Sequence, residues 1–299
     1  MHKKLKGTGV AIITPFHNEG SIDFKSFEQI INFQISNNVD YLVFLGTTGE
    51  AVTINKDERD AIISFAVETV NKRVPVVIGT GGNNTQQVVT IMKDTDFTGV
   101  DAVLSVSPFY NKPQQDGIYN HYKSVAGVSP VPVILYNVPG RTGSNIEAET
   151  TLKIAHEISN VIAIKEASKN LDQISRIIKE RPKEFLVISG DDLFTIPMLA
   201  IGGDGVISVT ANAFPAEFSA MVKYGLNGDF GKAREIHLGL LDMIQAAFAD
   251  GSPSGIKAAL AIKKLCKNTV RLPLIKVNRT TYNRISNIIE TLDNEPLLK

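Results

Sequence analysis

A single cysteine, Cys266, is all the thiol in this chain of 299 residues, so no internal disulfide can form. The amino terminus, Met1-His2-Lys3-Lys4-Leu5, has no apolar stretch of the kind that directs export. Together the two absences predict a reducing, cytoplasmic location. Net charge is missing as well: 31 basic residues balance 31 acidic ones. That balance leaves no overall field for nucleic acid, an anionic membrane or a polyacidic partner, and makes a small molecule the default ligand. Apolar runs such as Tyr41–Leu45 and Val131–Leu135 fall far short of the roughly 20 residues that span a bilayer. The five histidines (His2, His17, His121, His156, His237) are scattered without ligand spacing, so neither a metal site nor another cofactor is expected.

What the chain does have is 43% hydrophobic content, enough for a sizeable core. Short apolar runs recur at Val10–Ile13, Tyr41–Leu45, Val74–Ile78, Ala102–Val106, Val131–Leu135, Val161–Ile164, Phe185–Ile188 and Gly205–Val209. They are near-continuous and do not alternate, the pattern of parallel strands covered on both faces. Helical patterns lie between them. Phe24–Ser36 repeats Phe27, Ile30, Ile31 and Ile35 on one face, and Ile54–Val70 does so with Ile62, Phe65, Ala66 and Val70. Asn55, with Glu58 three positions on, has the makings of a capping box.

Eight alternations of strand and helix predict an α/β fold, a (β/α)₈ TIM barrel. A doubly wound open sheet is the alternative, but Gly7-Thr8-Gly9 before Val10 does not supply its nucleotide fingerprint. Beyond Val209 the chain reads as helical, over Pro215–Tyr224, Phe230–Phe248, Ser254–Cys266 and Val277–Leu292. The expected organisation is a catalytic barrel over residues 1–225 and a carboxy-terminal helical extension over 226–299. Lys257, Lys263, Lys264 and Lys267 read as a solvated basic face on the third of those helices.

In such a barrel the chemistry sits just after each strand. The second strand leads into Gly46-Thr47-Thr48-Gly49-Glu50, either an ordinary tight turn or a cradle of hydroxyls and N–H groups for a carboxylate or oxyanion. Gly79-Thr80-Gly81-Gly82 after the third strand reads as glycines that permit positive φ. The fourth and fifth strands end at Tyr110 and Tyr136, phenols able to relay protons or merely to hydrogen-bond. Pro139-Gly140 presents Arg141, whose guanidinium can grip a carboxylate with two hydrogen bonds. Asp191-Asp192 after the seventh strand reads as a helix cap. Lys165 follows Val161-Ile162-Ala163-Ile164 directly. Burial there would favour the neutral, nucleophilic amine, unless the side chain snorkels to the rim or pairs with Glu166.

Taken in order, Gly46-Thr47-Thr48-Gly49-Glu50, Tyr136-Asn137-Val138-Pro139 and Lys165 resemble the pyruvate-dependent barrel enzymes of the dihydrodipicolinate synthase and N-acetylneuraminate lyase family, over nearly the whole chain. The continuation Gly140-Arg141-Thr142 is similar to the synthase branch and not to the sialic acid lyases. That resemblance implies condensation of pyruvate with L-aspartate-4-semialdehyde in diaminopimelate and lysine biosynthesis; a related pyruvate aldolase or dehydratase acting on a sugar acid, or a silent acid-binding barrel, are the alternatives. It further implies Lys165 as the Schiff-base amine, Thr47 and Thr48 on the pyruvate carboxylate, and Tyr136 with Thr48 and Tyr110 as a proton relay. Arg141 would hold the second substrate, and Gly190 and Ile207 would line the pyruvate pocket. Tyr110 would be lent across a subunit interface, in a homotetramer built as a dimer of dimers.

Lysine-sensitive members carry histidines, a glutamate and a tyrosine where this chain has Lys56, Arg59, Gln87 and Phe109, with Asn83 still able to contribute. The added cations would repel the ammonium groups of lysine. The expected outcome of titrating the enzyme with lysine is weak or absent inhibition, and submillimolar inhibition would contradict it.

Overall fold

The computed structural model describes residues 2–298, so Met1 and Lys299, the outer ends of the two expected units, lie outside the described residues. Its strands close into a parallel barrel in sequence order. The (β/α)₈ barrel is the fold, because the last strand returns to the first, Gly7 beside Gly205 through Val10 beside Ser208, which an open sheet cannot do. In chain order the elements are β1 (Gly7–Ala11), α1 (Phe24–Ser36), β2 (Tyr41–Phe44), α2 (Lys56–Val70), β3 (Val76–Gly81), α3 (Thr85–Asp94), β4 (Ala102–Val106) and α4 (Gln115–Val128). They continue as β5 (Val133–Asn137), a single helical turn α5 (Pro139–Thr142), α6 (Ala148–Glu157), β6 (Val161–Glu166), α7 (Leu171–Glu180), β7 (Leu186–Ser189), α8 (Thr195–Ala200) and β8 (Gly205–Ser208). Helices α9 (Pro215–Leu226), α10 (Phe230–Phe248), α11 (Ser254–Ile262) and α12 (Arg279–Asn294) follow.

The strands depart from the apolar runs at both ends. β3 and β5 start after Pro75 and Pro132, which lack an N–H for the ladder. β3, β5 and β6 then run on through Gly79-Thr80-Gly81, Tyr136-Asn137 and Lys165-Glu166, because backbone pairing with neighbouring strands continues where the side chains turn polar. β1 begins at Gly7, three residues ahead of the apolar run, paired there to β8. The helical readings fare well at α1 and α2. Asn55 accepts from Glu58 N while Glu58 accepts from Asn55 N, a complete capping box.

Alternating side chains divide the apolar residues into two sets. Val43, Val77, Leu104, Ile134, Ile188 and Ile207 fill the barrel, while Leu42, Phe44, Val103, Leu135, Val187 and Val206 join the larger core beneath the helices. β6 breaks the alternation once. Val161 pairs with Val133, yet the next residue of β5, Ile134, pairs with Ala163, so Ile162 is an extra residue in the strand. Ile162 and Ala163 both lie in the inner set, and Ile164 falls back to the outer one. The bulge rephases everything after it.

Helices α10 to α12 pack on α8, α9 and one another, with Ile236, Leu240, Met243, Ile256, Leu260 and Ile285 in the same core as the barrel helices. Two readings are corrected here. α11 ends at Ile262 and not at Cys266, and it has no solvated face in its first two turns: Ser254 through Leu260 are all buried. Lys257 among them is wholly enclosed and ion-paired with Glu50, 2.5 Å away. Lys264 and Lys267 are exposed as expected, and Lys263 lies across the Phe214 ring. α12 starts at Arg279, capped by Asn278, whose side chain accepts from Thr281 N.

One buried titratable group sets a pH dependence. His121 on α4 is 2% exposed, with Nδ1 2.9 Å from Thr85 Oγ1 and Nε2 buried without a partner. Burial pulls its pKa down from 6.5 to about 4. The unfolded chain therefore takes up a proton below about pH 6.5 that the folded chain refuses, so the stability present above that pH falls steadily towards pH 4. The loss is on the order of 3 kcal/mol over that window, at about 1.4 kcal/mol per unit. Urea unfolding at stepped pH is expected to show this slope in the native protein and a shallower one in His121→Asn; equal slopes would contradict it.

Candidate active site

Lys165 and Tyr136 are partners in register on β6 and β5, and both face into the barrel. They are 5% and 7% exposed, and Lys165 Nζ lies 4.4 Å from the centroid of the Tyr136 ring. Were the same sequence to pair without a bulge, alternation from Val161 would place Ile164 inside and Lys165 among the helices. Among the described residues Lys165 makes no ion pair. Glu166, its neighbour, points to the opposite side of the sheet. Its carboxylate accepts from Asn137 Nδ2 at 3.1 and 3.0 Å, Ser168 N at 2.7 Å and Gln173 Nε2 at 3.1 Å. Burial raises the Glu166 pKa against the pull of these hydrogen bonds. The pairing of Lys165 with Glu166 is thus excluded by the sheet itself.

Gly190, one residue beyond β7, makes room for the amine. A Cβ there would sit 2.9 Å from Ala167 Cβ and 3.1 Å from both Cγ and Cε of Lys165. Ile207 on β8 is 1% exposed and belongs to the set that fills the barrel. Asp191 accepts from Leu193 N and Phe194 N in the turn ahead of α8 and does not cap the helix, whose N-cap position, Phe194, has no side-chain cap. Asp192 does something else: it reaches across to the loop after β8 and accepts from Thr210 N at 2.8 Å and Thr210 Oγ1 at 2.7 Å. It braces one strand end against the next.

The turn after β2 is strained at its two ends and not at its glycines. Leu45 and Glu50 both have φ of 55°, in the left-handed region. Gly49 is needed for close approach, since a Cβ would lie 3.2 Å from Ile12 O and Leu45 N. The N–H groups of Gly49 and Glu50 donate to Gly46 O and Thr47 O, and Thr14 Oγ1 donates to Gly49 O. Among the described residues the N–H groups of Thr47 and Thr48 make no such bond, which suits a cradle for an anion. Thr48 is buried and Thr47 is exposed. Positive φ does not explain Gly79 or Gly81: a Cβ at Gly79 would strike Leu45 O at 2.2 Å, and one at Gly81 would meet Val106 Cγ1 at 2.7 Å. These glycines let the strand ends close together.

A cavity of about 300 Å³ opens beside the turn, bordered by Thr47, Arg59, Thr80, Phe109 and Tyr136. Arg59 is partly buried, its Nε without a partner and its Nη2 3.4 Å from Thr80 Oγ1. Lys56 and Gln87 are exposed. Arg141 sits exposed on α5, which ends at Gly143 with φ of 71°, and among the described residues it pairs with no carboxylate. Tyr110 is 87% exposed on left-handed backbone, and its N–H donates to Thr142 O, tying its loop to that of Arg141. One chain therefore brings Lys165, Tyr136, Gly190 and Ile207 to the barrel interior, buries Thr48 in the turn after β2, and leaves Thr47, Arg141 and Tyr110 exposed. Sequence reasoning missed Glu50, Lys257 and Arg271, which lock this turn from behind; the left-handed backbone of Glu50 that marks it out shows only in the structure.

Residues 4–292 match the profile of the Dihydrodipicolinate synthetase family. The 4-hydroxy-tetrahydrodipicolinate synthase of Parabacteroides distasonis is 49% identical over 96% of this chain and 97% of its own. Among solved structures, dihydrodipicolinate synthase from Aquifex aeolicus superposes with a TM-score of 0.94 at 39% identity, covering 99% of this chain and all of that one. The chloride-inhibited enzyme of Acinetobacter baumannii, solved in complex with pyruvate, gives 0.92 at 34% identity over 96% and 98%. With the family model spanning nearly the whole chain and the closed barrel shared with its solved relatives, the chain belongs to the dihydrodipicolinate synthetase family.

Proposed function

We propose that this chain is a Schiff-base lyase that condenses pyruvate with L-aspartate-4-semialdehyde, the step of diaminopimelate and lysine biosynthesis that yields 4-hydroxy-tetrahydrodipicolinate. The observation that carries the reading is an amine, Lys165, held inside the barrel against Tyr136 with no carboxylate to claim it. The relatives of the same name support the choice of reaction, and the Acinetobacter baumannii relative holds pyruvate.

Lys165 attacks the pyruvate ketone and loses water to form an imine. The hydroxyls and free N–H groups of Thr47 and Thr48 receive the pyruvate carboxylate. Loss of a methyl proton from the imine gives an enamine, whose carbon adds to the aldehyde of the second substrate while a proton passes to the new alkoxide; the amino group of that substrate then displaces Lys165 from the imine carbon, closing the ring and freeing the lysine. Tyr136, beside the amine, moves these protons with Thr48, as general acid–base chemistry requires. Arg141 waits on the rim for the carboxylate of the semialdehyde. Tyr110 and Val52, 87% and 90% exposed at the barrel mouth, are the kind of apolar surface a second subunit covers. A pair of chains sharing Tyr110 and assembling as a homotetramer in the cytoplasm fits that surface. Among the described residues no helix is long and apolar enough to cross a membrane.

A coupled assay with L-aspartate-4-semialdehyde, set against a panel of sugar acids, is expected to show turnover with the semialdehyde alone. Arg141→Ala should weaken use of the semialdehyde far more than imine formation with pyruvate, and Tyr136→Phe should lower turnover by about 10²-fold. Preference for a sugar acid, or equal losses in both half-reactions of Arg141→Ala, would overturn the assignment of the second substrate.

A further inference from the structure

Glu50 closes the threonine turn with φ 55° and ψ 35°, where glycine would be free of strain and any side chain costs free energy. Its carboxylate accounts for its presence there. It is 2% exposed, with Oε1 2.5 Å from Lys257 Nζ on α11 and Oε2 accepting from Arg271 N at 2.9 Å. Lys257 Nζ also donates to Thr269 O at 2.8 Å. The Arg271 guanidinium donates to Gly20 O, Thr53 O and the Glu58 carboxylate, and both cations lie over the Phe16 ring, at 4.1 and 4.4 Å. Both cations come from the segment after α10, outside the β/α repeat. The turn they hold is the one that carries Thr47 and Thr48.

Mechanical contact between the cluster and the threonines is direct. Glu50 N donates to Thr47 O at 3.1 Å, while Thr53 N and Thr53 Oγ1 donate to Glu50 O at 2.9 and 3.0 Å. A shift of Glu50 therefore moves the Thr47 peptide, and with it the N–H groups that face an incoming carboxylate. Lys257 and Arg271 touch no residue of the Lys165 and Tyr136 pair among their hydrogen bonds and ion pairs.

We infer that Glu50, Lys257 and Arg271 are positioning residues, through which the carboxy-terminal helices fix the turn that binds the pyruvate carboxylate. The inference rests on the proposed reaction. It separates binding from chemistry: loosening the cluster misplaces Thr47 and Thr48 but leaves the Lys165 amine and the Tyr136 phenol where they are. Glu50→Gln keeps the size and one acceptor of the side chain and removes its charge. Arg271→Lys keeps the charge and removes the fork that reaches Gly20, Thr53 and Glu58.

Steady-state kinetics on the full chain, with thermal unfolding followed in parallel, test it. Glu50→Gln is expected to raise the pyruvate KM by about 10-fold or more, with kcat at saturating pyruvate and the semialdehyde KM within about threefold of the native values. Arg271→Lys should move the pyruvate KM in the same direction by less. Arg181→Gln cuts the Arg181–Asp204 pair at the opposite, amino-terminal end of the barrel. It should lower the unfolding temperature with the pyruvate KM unchanged. A pyruvate KM within twofold of native in folded variants, or a fall in kcat alone, overturns the positioning role; should Glu50→Gln fail to fold, Arg271→Lys decides by the same criterion. If the native enzyme forms no imine with pyruvate, the proposed reaction itself is what fails.

Discussion

The phase of β6 governs the chemistry of this barrel. Side chains alternate along a strand, so one residue more or less decides whether a lysine faces the closed interior or the helices. The extra residue at Ile162 shifts the phase by one, and Lys165 arrives beside Tyr136 while Glu166 takes the outer position. The groups packed around β6 fit that choice. Gly190 leaves room for the lysine side chain, and Asn137 and Gln173 satisfy the glutamate on the other side. A carboxylate on the inner face would have neutralised the amine as a nucleophile by holding its proton.

Behind the site a second constraint operates through charge. Enclosing Lys257 and Glu50 in the core exacts a desolvation penalty that only close pairing and further hydrogen bonds offset. Burial pushes the Lys257 pKa down, and the Glu50 carboxylate opposes that pull. Removing either partner would strand the other and cost about 3–5 kcal/mol. Such a pair joins two parts of the chain 207 residues apart in a single geometry, which an apolar contact would do less specifically. The helices after the barrel are thus more than a cover, since they hold the turn that presents Thr47 and Thr48.

Much of this was legible in the residues. Eight near-continuous apolar runs announced a parallel sheet buried on both faces, and their number matched a closed barrel. Lys165, Tyr136, Thr48 and Thr47 stood out because they follow such runs directly. The rest depended on three-dimensional facts that composition does not carry. Strand ends were misplaced at β3, β5 and β6 because pairing, not hydrophobicity, determines where a strand stops. Lys257 was read as solvated because lysine usually is, and its burial follows from a carboxylate distant in sequence. Gly79 and Gly81 looked like hinges of positive φ and proved to be points of close strand approach. Asp192 was taken for a cap and braces the loop after β8 instead. Tyr110 and Arg141 were found exposed, which the residue pattern alone did not reveal.

Borohydride reduction in the presence of pyruvate, followed by mass spectrometry of the digested protein, identifies the residue that forms the imine. One covalent pyruvate-derived adduct is expected, on Lys165 and on no other of the chain's lysines, and none without pyruvate. An adduct on a different residue, or its absence altogether, would contradict the amine assignment from which the mechanism follows.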